Sequence, residues 1–134
     1  MKTKTSGIAV LVLVAAASLM AQSYGVTVKV RGSNGSSGTF AVAMYAPGPA
    51  TEKYTSCLLS HDKIADCTAP YTASIDYSVP NGGEATFGYI PANVTYLVVA
   101  SSNQTHAWHA FRVTASNRPV YVEIGVPDGG PTFH

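Results

Sequence analysis

Apolar and polar residues alternate in short runs along most of this chain, the period-two signature of strands with one buried face. Val26, Val28 and Val30 form the inward set of a first strand, with Thr27 and Lys29 outward. Phe40, Val42 and Met44 make the buried face of a second, stopped by Pro47 and Pro49. Tyr71, Ala73, Ile75 and Tyr77 mark a third strand, and Ala85, Phe87 and Tyr89 a fourth. Residues 96–100, 106–113 and 120–126 complete seven. Gly, Pro and Asn separate these runs, notably over residues 31–38, at Pro80-Asn81-Gly82-Gly83 and at Pro91-Ala92-Asn93. Such a series predicts an all-β, seven-stranded antiparallel sandwich. Between residues 50 and 70 the alternation fails. Leu58, Leu59, Ile64 and Ala65 there suit a short helical turn or an irregular loop, and no helix is predicted in the mature chain.

Ahead of the strands stands a segment of a different kind. Lys2 and Lys4 precede an unbroken apolar run over residues 8–17, and Ala21-Gln22-Ser23 supplies a small-x-small cleavage pattern. Residues 1–23 therefore read as a secretory signal peptide, and residues 24–134 as one exported β domain. The apolar run is shorter than the ~20 residues a spanning helix requires, so no membrane span is expected in the mature chain. Cleavage after Gly7, as in type IV pilins, is the competing reading. It is disfavoured because Gly25 and the β-branched alternation begin where a pilin helix would continue.

Composition narrows the class. Only 11% of the chain is charged, with eight basic and seven acidic residues, and two of the basic ones leave with the leader. Without a basic stripe there is no footprint for a polyanion, so nucleic acid is excluded as a partner. A surface rich in Ser, Thr, Asn, Gly and Tyr with low net charge favours association with other proteins or with glycans. Many secreted β proteins share this composition.

Cys57 and Cys67 are the only cysteines, and a pair in an exported chain predicts one structural disulfide. Three Asn-x-Ser/Thr triplets, at Asn34, Asn93 and Asn103, fall in predicted turns and are glycosylation candidates, with chance occurrence in a Ser/Thr-rich chain as the competing explanation.

Gly83-Glu84-Ala85-Thr86-Phe87, Ile90-Pro91-Ala92 and Thr95-Tyr96-Leu97-Val98-Val99 together resemble a hallmark of transthyretin-like sandwich modules, Gly-x-x-x-Phe followed by hydrophobic-Pro-x-Gly-x-Tyr. These modules include carboxypeptidase regulatory-like domains and the B-type repeats of bacterial surface adhesins. The segments 26–30 and 38–42 are similar to their first hairpin. The resemblance spans most of residues 25–126, with Asn93 near the family's usual Gly and with an atypical cystine segment. It implies a transthyretin/Ig-like fold, a role as spacer, stalk or adhesive unit outside the cell, and no catalysis.

No motif for a nucleophile, phosphate loop or haem stands in the chain, so no enzyme activity and no cofactor are expected. His61, His106, His109 and His134 raise a metal reading. His106 and His109 on one strand would face opposite sides, and His61 beside Asp62 makes a poor ligand pair, so no metal site is assigned. Lys29, Glu84 and Glu123 invite comparison with the Lys–Asn isopeptide of some adhesin modules. Lys29, however, falls on the polar side of its strand, and Glu123 stands where Asn is needed. Trp108 between His106 and His109, with eight tyrosines, offers a sugar-stacking platform or simply strand packing.

These readings converge on a secreted structural subunit that self-assembles into an extracellular filament, sheath or surface layer, alone or with other surface proteins. The mature N-terminus, with Tyr24, Val26, Val28 and Val30, is the expected strand donor. The alternative is a monomeric extracellular module that binds carbohydrate or protein.

Overall fold

A computed structural model describes residues 25–32, 38–71, 74–88, 90–116 and 119–126. The predicted leader, Tyr24, Asn34 and His134 lie outside them. The described residues fold into seven strands and one helix: β1 (Val26–Gly32), β2 (Thr39–Tyr45), α1 (Pro49–Leu58), β3 (Ser74–Pro80), β4 (Glu84–Phe87), β5 (Thr95–Ser102), β6 (Trp108–Thr114) and β7 (Val120–Val126). A 3-10 turn, Ile64–Asp66, follows the helix. The strands form a three-stranded sheet in the order β4-β1-β7 and a four-stranded sheet in the order β3-β2-β5-β6. The protein is a β-sandwich.

One feature departs from the wholly antiparallel expectation: β1 runs parallel to β7, from Val26 opposite Val120 to Gly32 opposite Val126. Its other neighbour, β4, is antiparallel, as are all pairs in the larger sheet. The reason is topological. β6 and β7 lie in different sheets, so their connection does not form a hairpin and imposes no antiparallel pairing on β7.

The space between the sheets holds the main core. Val26, Val28, Val30, Ala85, Phe87, Ile124 and Val126 enter from the small sheet, and Phe40, Val42, Met44, Tyr96, Val98, Phe111 and Val113 from the large one. The predicted inward sets of β1, β2 and β4 thus match the buried ones wherever their residues are described. At roughly 25 cal/mol per Å² of apolar area removed from water, this layer supplies the main driving force of the fold.

The four-stranded sheet is buried on its outer face as well. Ala43, Tyr45, Leu97, Val99, Trp108 and Ala110 project there and pack beneath Tyr54 and Leu58 of α1. Hence β5 is buried at every position after Thr95, which explains why residues 96–100 form an unbroken apolar run. The molecule therefore has three layers: small sheet, large sheet and helix.

β3 differs from its predicted pattern in register. Phe40 is paired with Val79, yet Val42 is paired with Asp76, so Tyr77 and Ser78 together oppose Ala41 in a β-bulge. The Asp76 carboxylate accepts a hydrogen bond from the Ser78 N–H at 3.0 Å, which holds the bulge. The extra residue inverts the alternation: Val79 enters the inter-sheet core, whereas Ile75 packs with the outer layer. Tyr77 and Tyr71, predicted inward, are instead exposed (64% and 103%).

The registry of β1 has a direct test. Truncation of Val28 to Ala removes two methylene-sized groups at a fully buried site, and is expected to cost about 2 kcal/mol. Thr27 to Ala, one residue away on the outer face, is expected to stay within about 0.5 kcal/mol of the parent. Chemical denaturation of both variants measures the difference.

Candidate functional site

The segment without strand pattern forms the outer layer, and its helix corrects the expectation that none is present. Pro49 occupies the first helical turn, where its missing N–H costs nothing, and Gly48 precedes it at φ 156°, a conformation glycine adopts readily. Thr51, Tyr54, Thr55 and Leu58 are its buried positions, spaced i, i+3, i+4, i+7. Two of these four are threonines, so the helical stripe is faint in a hydropathy reading. They are accommodated because Thr51 Oγ1 donates to Ala46 O at 2.6 Å and Thr55 Oγ1 to Thr51 O at 2.9 Å.

Beyond α1 the chain is fastened to the sheet by several independent bonds. Cys57 and Cys67 form the predicted disulfide. The His61 N–H donates to Leu58 O at 3.1 Å, and the Ile64 N–H to His106 O at 2.9 Å. The Trp108 indole N–H donates to His61 O at 3.0 Å, and Lys63 Nζ to Thr105 O at 2.9 Å. Trp108 is thus fully buried (0%), a core anchor for this loop, so of its two readings packing holds and sugar stacking does not. The His61 ring folds back over the cystine. Its Nδ1 donates to Cys57 O at 2.7 Å and lies 3.6 Å from Cys57 Sγ and 3.7 Å from Cys67 Sγ.

Two adjoining grooves flank this layer. One, of about 420 Å³, is lined by Lys53, Tyr54, Cys57, Asp66, Ala69 and Pro70 among others. The other, of about 350 Å³, lies between Tyr45, Ala69, Pro70, Tyr71, Ile75 and Tyr77. Ala69 and Pro70 form the ridge they share. Beneath it, Tyr45 and Tyr54 meet edge to face with ring centroids 5.3 Å apart. Burial raises both phenols above their ordinary value of 10.0. For Tyr54 the neighbouring Tyr45 adds to the rise, whereas for Tyr45 the hydrogen bond from Tyr54 partly offsets it.

The other predicted residues are dispersed. Val26, Val28 and Val30 are fully buried in the middle strand of the small sheet, paired on both sides within the chain. Asn93 is exposed in a turn with φ 64°, the left-handed conformation that favours Gly and is tolerated by Asn. Asn103 is also exposed, but its Nδ2 donates to Thr39 Oγ1 at 2.9 Å and to Tyr77 O at 2.8 Å, so a glycan there competes with bonds that tie the turn to the β3 bulge. His106 is exposed, also with a left-handed backbone (φ 63°), and the His109 Nδ1 donates to Gly125 O at 2.8 Å, joining β6 to β7 across the sandwich. Lys29 stands in register with both Glu84 and Glu123. Glu123 is paired with Arg31 at 2.6 Å, and the Tyr121 hydroxyl donates to Glu84 at 3.3 Å.

His61 and the two sulfurs are the cluster that the linear reading passed over. Pairing His61 with Asp62, its neighbour in sequence, hid its approach to Cys57 one helical turn earlier. That i, i+4 spacing was the available signal.

No family model matches the chain, and no curated protein does. Among solved structures, a pilus-presented adhesin, Spy0125 (Cpa), is similar with a TM-score of 0.43 and 13% identity, over 79% of this chain and 27% of that one. The chain thus spans about a quarter of the length of that adhesin, and the reading of its function rests on its own geometry.

Two measurements test the outer layer. Replacing both cysteines with serine is expected to cost roughly 2.5–3 kcal/mol, from the chain entropy that the loop closed over ten positions removes from the unfolded state. Because the folded phenols of Tyr45 and Tyr54 titrate above their unfolded value, their contribution to stability is complete below pH 10 and is lost as the pH rises beyond it. Denaturation midpoints are therefore expected to fall above pH 10, and Tyr54→Phe to lessen that fall.

Proposed function

We propose that this chain is an extracellular structural subunit that associates with its own copies by exchanging β1, the middle strand of its small sheet. The carrying observation is the position of that strand. β4 and β7 have no ladder with each other and are joined only through β1, whose three valines fill the core beneath them. A sheet built this way is completed equally well by its own β1 or by that of a neighbour, because every main-chain hydrogen bond and every valine contact re-forms in trans. The link to β2, residues 32–38, consists of Gly, Ser and Asn alone. β1 also directly follows the predicted leader, so export yields a chain that begins with the exchangeable element.

The cystine accords with an oxidising, extracellular setting. The left-handed turn at Asn93 accords with a transthyretin-like module, in which Gly commonly serves this turn. In this reading the working parts are strand and sheet, and the partners are other copies or other surface proteins.

A second reading rests on a separate observation. Tyr71 and Tyr77 are exposed beside a groove that adjoins Lys53 and Asp66, an arrangement of aromatic faces and polar groups suited to a glycan or an extended peptide on a monomeric module.

The two readings separate in one experiment. Thr27 and Thr86 are register partners across β1 and β4, with hydroxyl oxygens 3.3 Å apart at the surface. Oxidising the Thr27→Cys/Thr86→Cys variant in assembled material is expected to yield a ladder of covalent multimers on non-reducing denaturing gels. Assemblies that give only monomer bands, or a parent protein that remains monomeric at every concentration reached, exclude strand exchange.

A further inference from the structure

We propose that Cys57, His61 and Cys67 form a binding site for a soft divalent cation, with zinc as the reference ion, whenever the cystine is reduced. This is independent of strand exchange and concerns the outer layer alone. The three donor atoms lie within 4.8 Å of one another. In a tetrahedral zinc site, sulfur ligands at ~2.3 Å and nitrogen at ~2.0–2.1 Å stand about 3.6 Å apart. The His61 Nδ1 already lies 3.6 and 3.7 Å from the two sulfurs. The imidazole nitrogen is thus at ligand spacing from both cysteines; the sulfurs need to separate, and Nδ1 must exchange its bond to Cys57 O for the ion.

The loop has reason to keep this arrangement once the covalent link is open. The backbone of His61 is held at both ends, by Leu58 O and by the buried Trp108 indole. Ile64 is bonded to His106 O, Lys63 to Thr105 O, and the Cys67 N–H to Ile64 O at 3.2 Å. Cys57 is fixed by α1, whose Tyr54 and Leu58 are packed into the outer core. None of these bonds uses a cystine sulfur. All three ligand residues are half-buried, so an ion has access from solvent yet is partly shielded by protein.

The chemistry balances as follows. A dithiol opens the cystine by two exchange steps. Two electrons and two protons pass to Cys57 and Cys67, and the reductant leaves as its cyclic disulfide. Zinc then displaces one proton from each thiol to solvent, and the two thiolates neutralise its charge. The His61 proton moves from Nδ1 to Nε2, which frees the Nδ1 lone pair at the expense of its bond to Cys57 O. Water fills the fourth position. Metal and disulfide are mutually exclusive, so bound zinc also delays reoxidation.

Cobalt(II) titration of the full chain, reduced and freed of reductant without oxygen, tests the site. One equivalent is expected to produce thiolate-to-cobalt charge-transfer absorption together with tetrahedral d–d bands, both removed by zinc. His61→Ala is expected to weaken binding about tenfold or more, and Cys57→Ser to abolish the charge-transfer signal of the paired thiolates. His106→Ala is expected to bind like the parent, and the oxidised chain to give no bands. Reduced protein that gives no thiolate–cobalt absorption overturns the proposal, whether its β-sheet circular dichroism is retained or lost. So does a His61→Ala variant that binds as tightly as the parent while retaining that signal.

Discussion

The small sheet depends on one strand. β4 is only four residues long and β7 lies at an edge, so neither can bury its apolar side without β1 between them. Val26, Val28 and Val30 reach the core from that central position, and the large sheet supplies Phe40, Met44, Val98 and Phe111 opposite them. The hydrophobic energy of the inter-sheet layer is therefore gated by a single N-terminal segment. Its main-chain groups add the ladders to both neighbours. The proposed exchange of β1 between copies rests on the same dependence, because a complete sheet needs a middle strand but not one from the same chain.

The larger sheet solves a different problem. With apolar side chains on both faces it cannot leave either one to water, and the third layer of α1 and its loop answers the need. Leu58 and Tyr54 cover Trp108, Leu97 and Val99. In return Trp108 holds the loop by its indole N–H. The cystine reinforces a segment that packing and hydrogen bonds already hold, and His61 is carried onto the two sulfurs by the helix end and by the Trp108 bond. The chemically distinctive corner of the protein is thus a consequence of covering a two-sided sheet.

Legibility differed between the two halves of the problem. The inward residues of β1, β2 and β4 could be read one by one, because a strand with one dry face writes its period into the chain. β5 was legible as a strand, but its unbroken apolar run did not announce that a helix lies on its far side. α1 was illegible as a helix because Thr51 and Thr55 occupy half of its buried stripe, and each requires a carbonyl partner visible only in the fold. The β3 pattern misled at Tyr77, where one bulged residue exchanges the faces, and at Tyr71, which lies ahead of the strand. Trp108 between two histidines invited a surface role, whereas its place at the start of β6 beneath α1 puts it wholly in the core.

By itself, then, the sequence determined the number of strands, most of their buried faces, the disulfide and the polar character of the surface, all of which follow from local period and composition. The parallel course of β7 beside β1, the third layer, the bulge and the meeting of His61 with Cys57 and Cys67 were decided by the tertiary structure. Each depends on which elements become neighbours in space. Local pattern carries no record of that choice, because the free energy that makes it comes from apolar area buried between residues far apart in the chain.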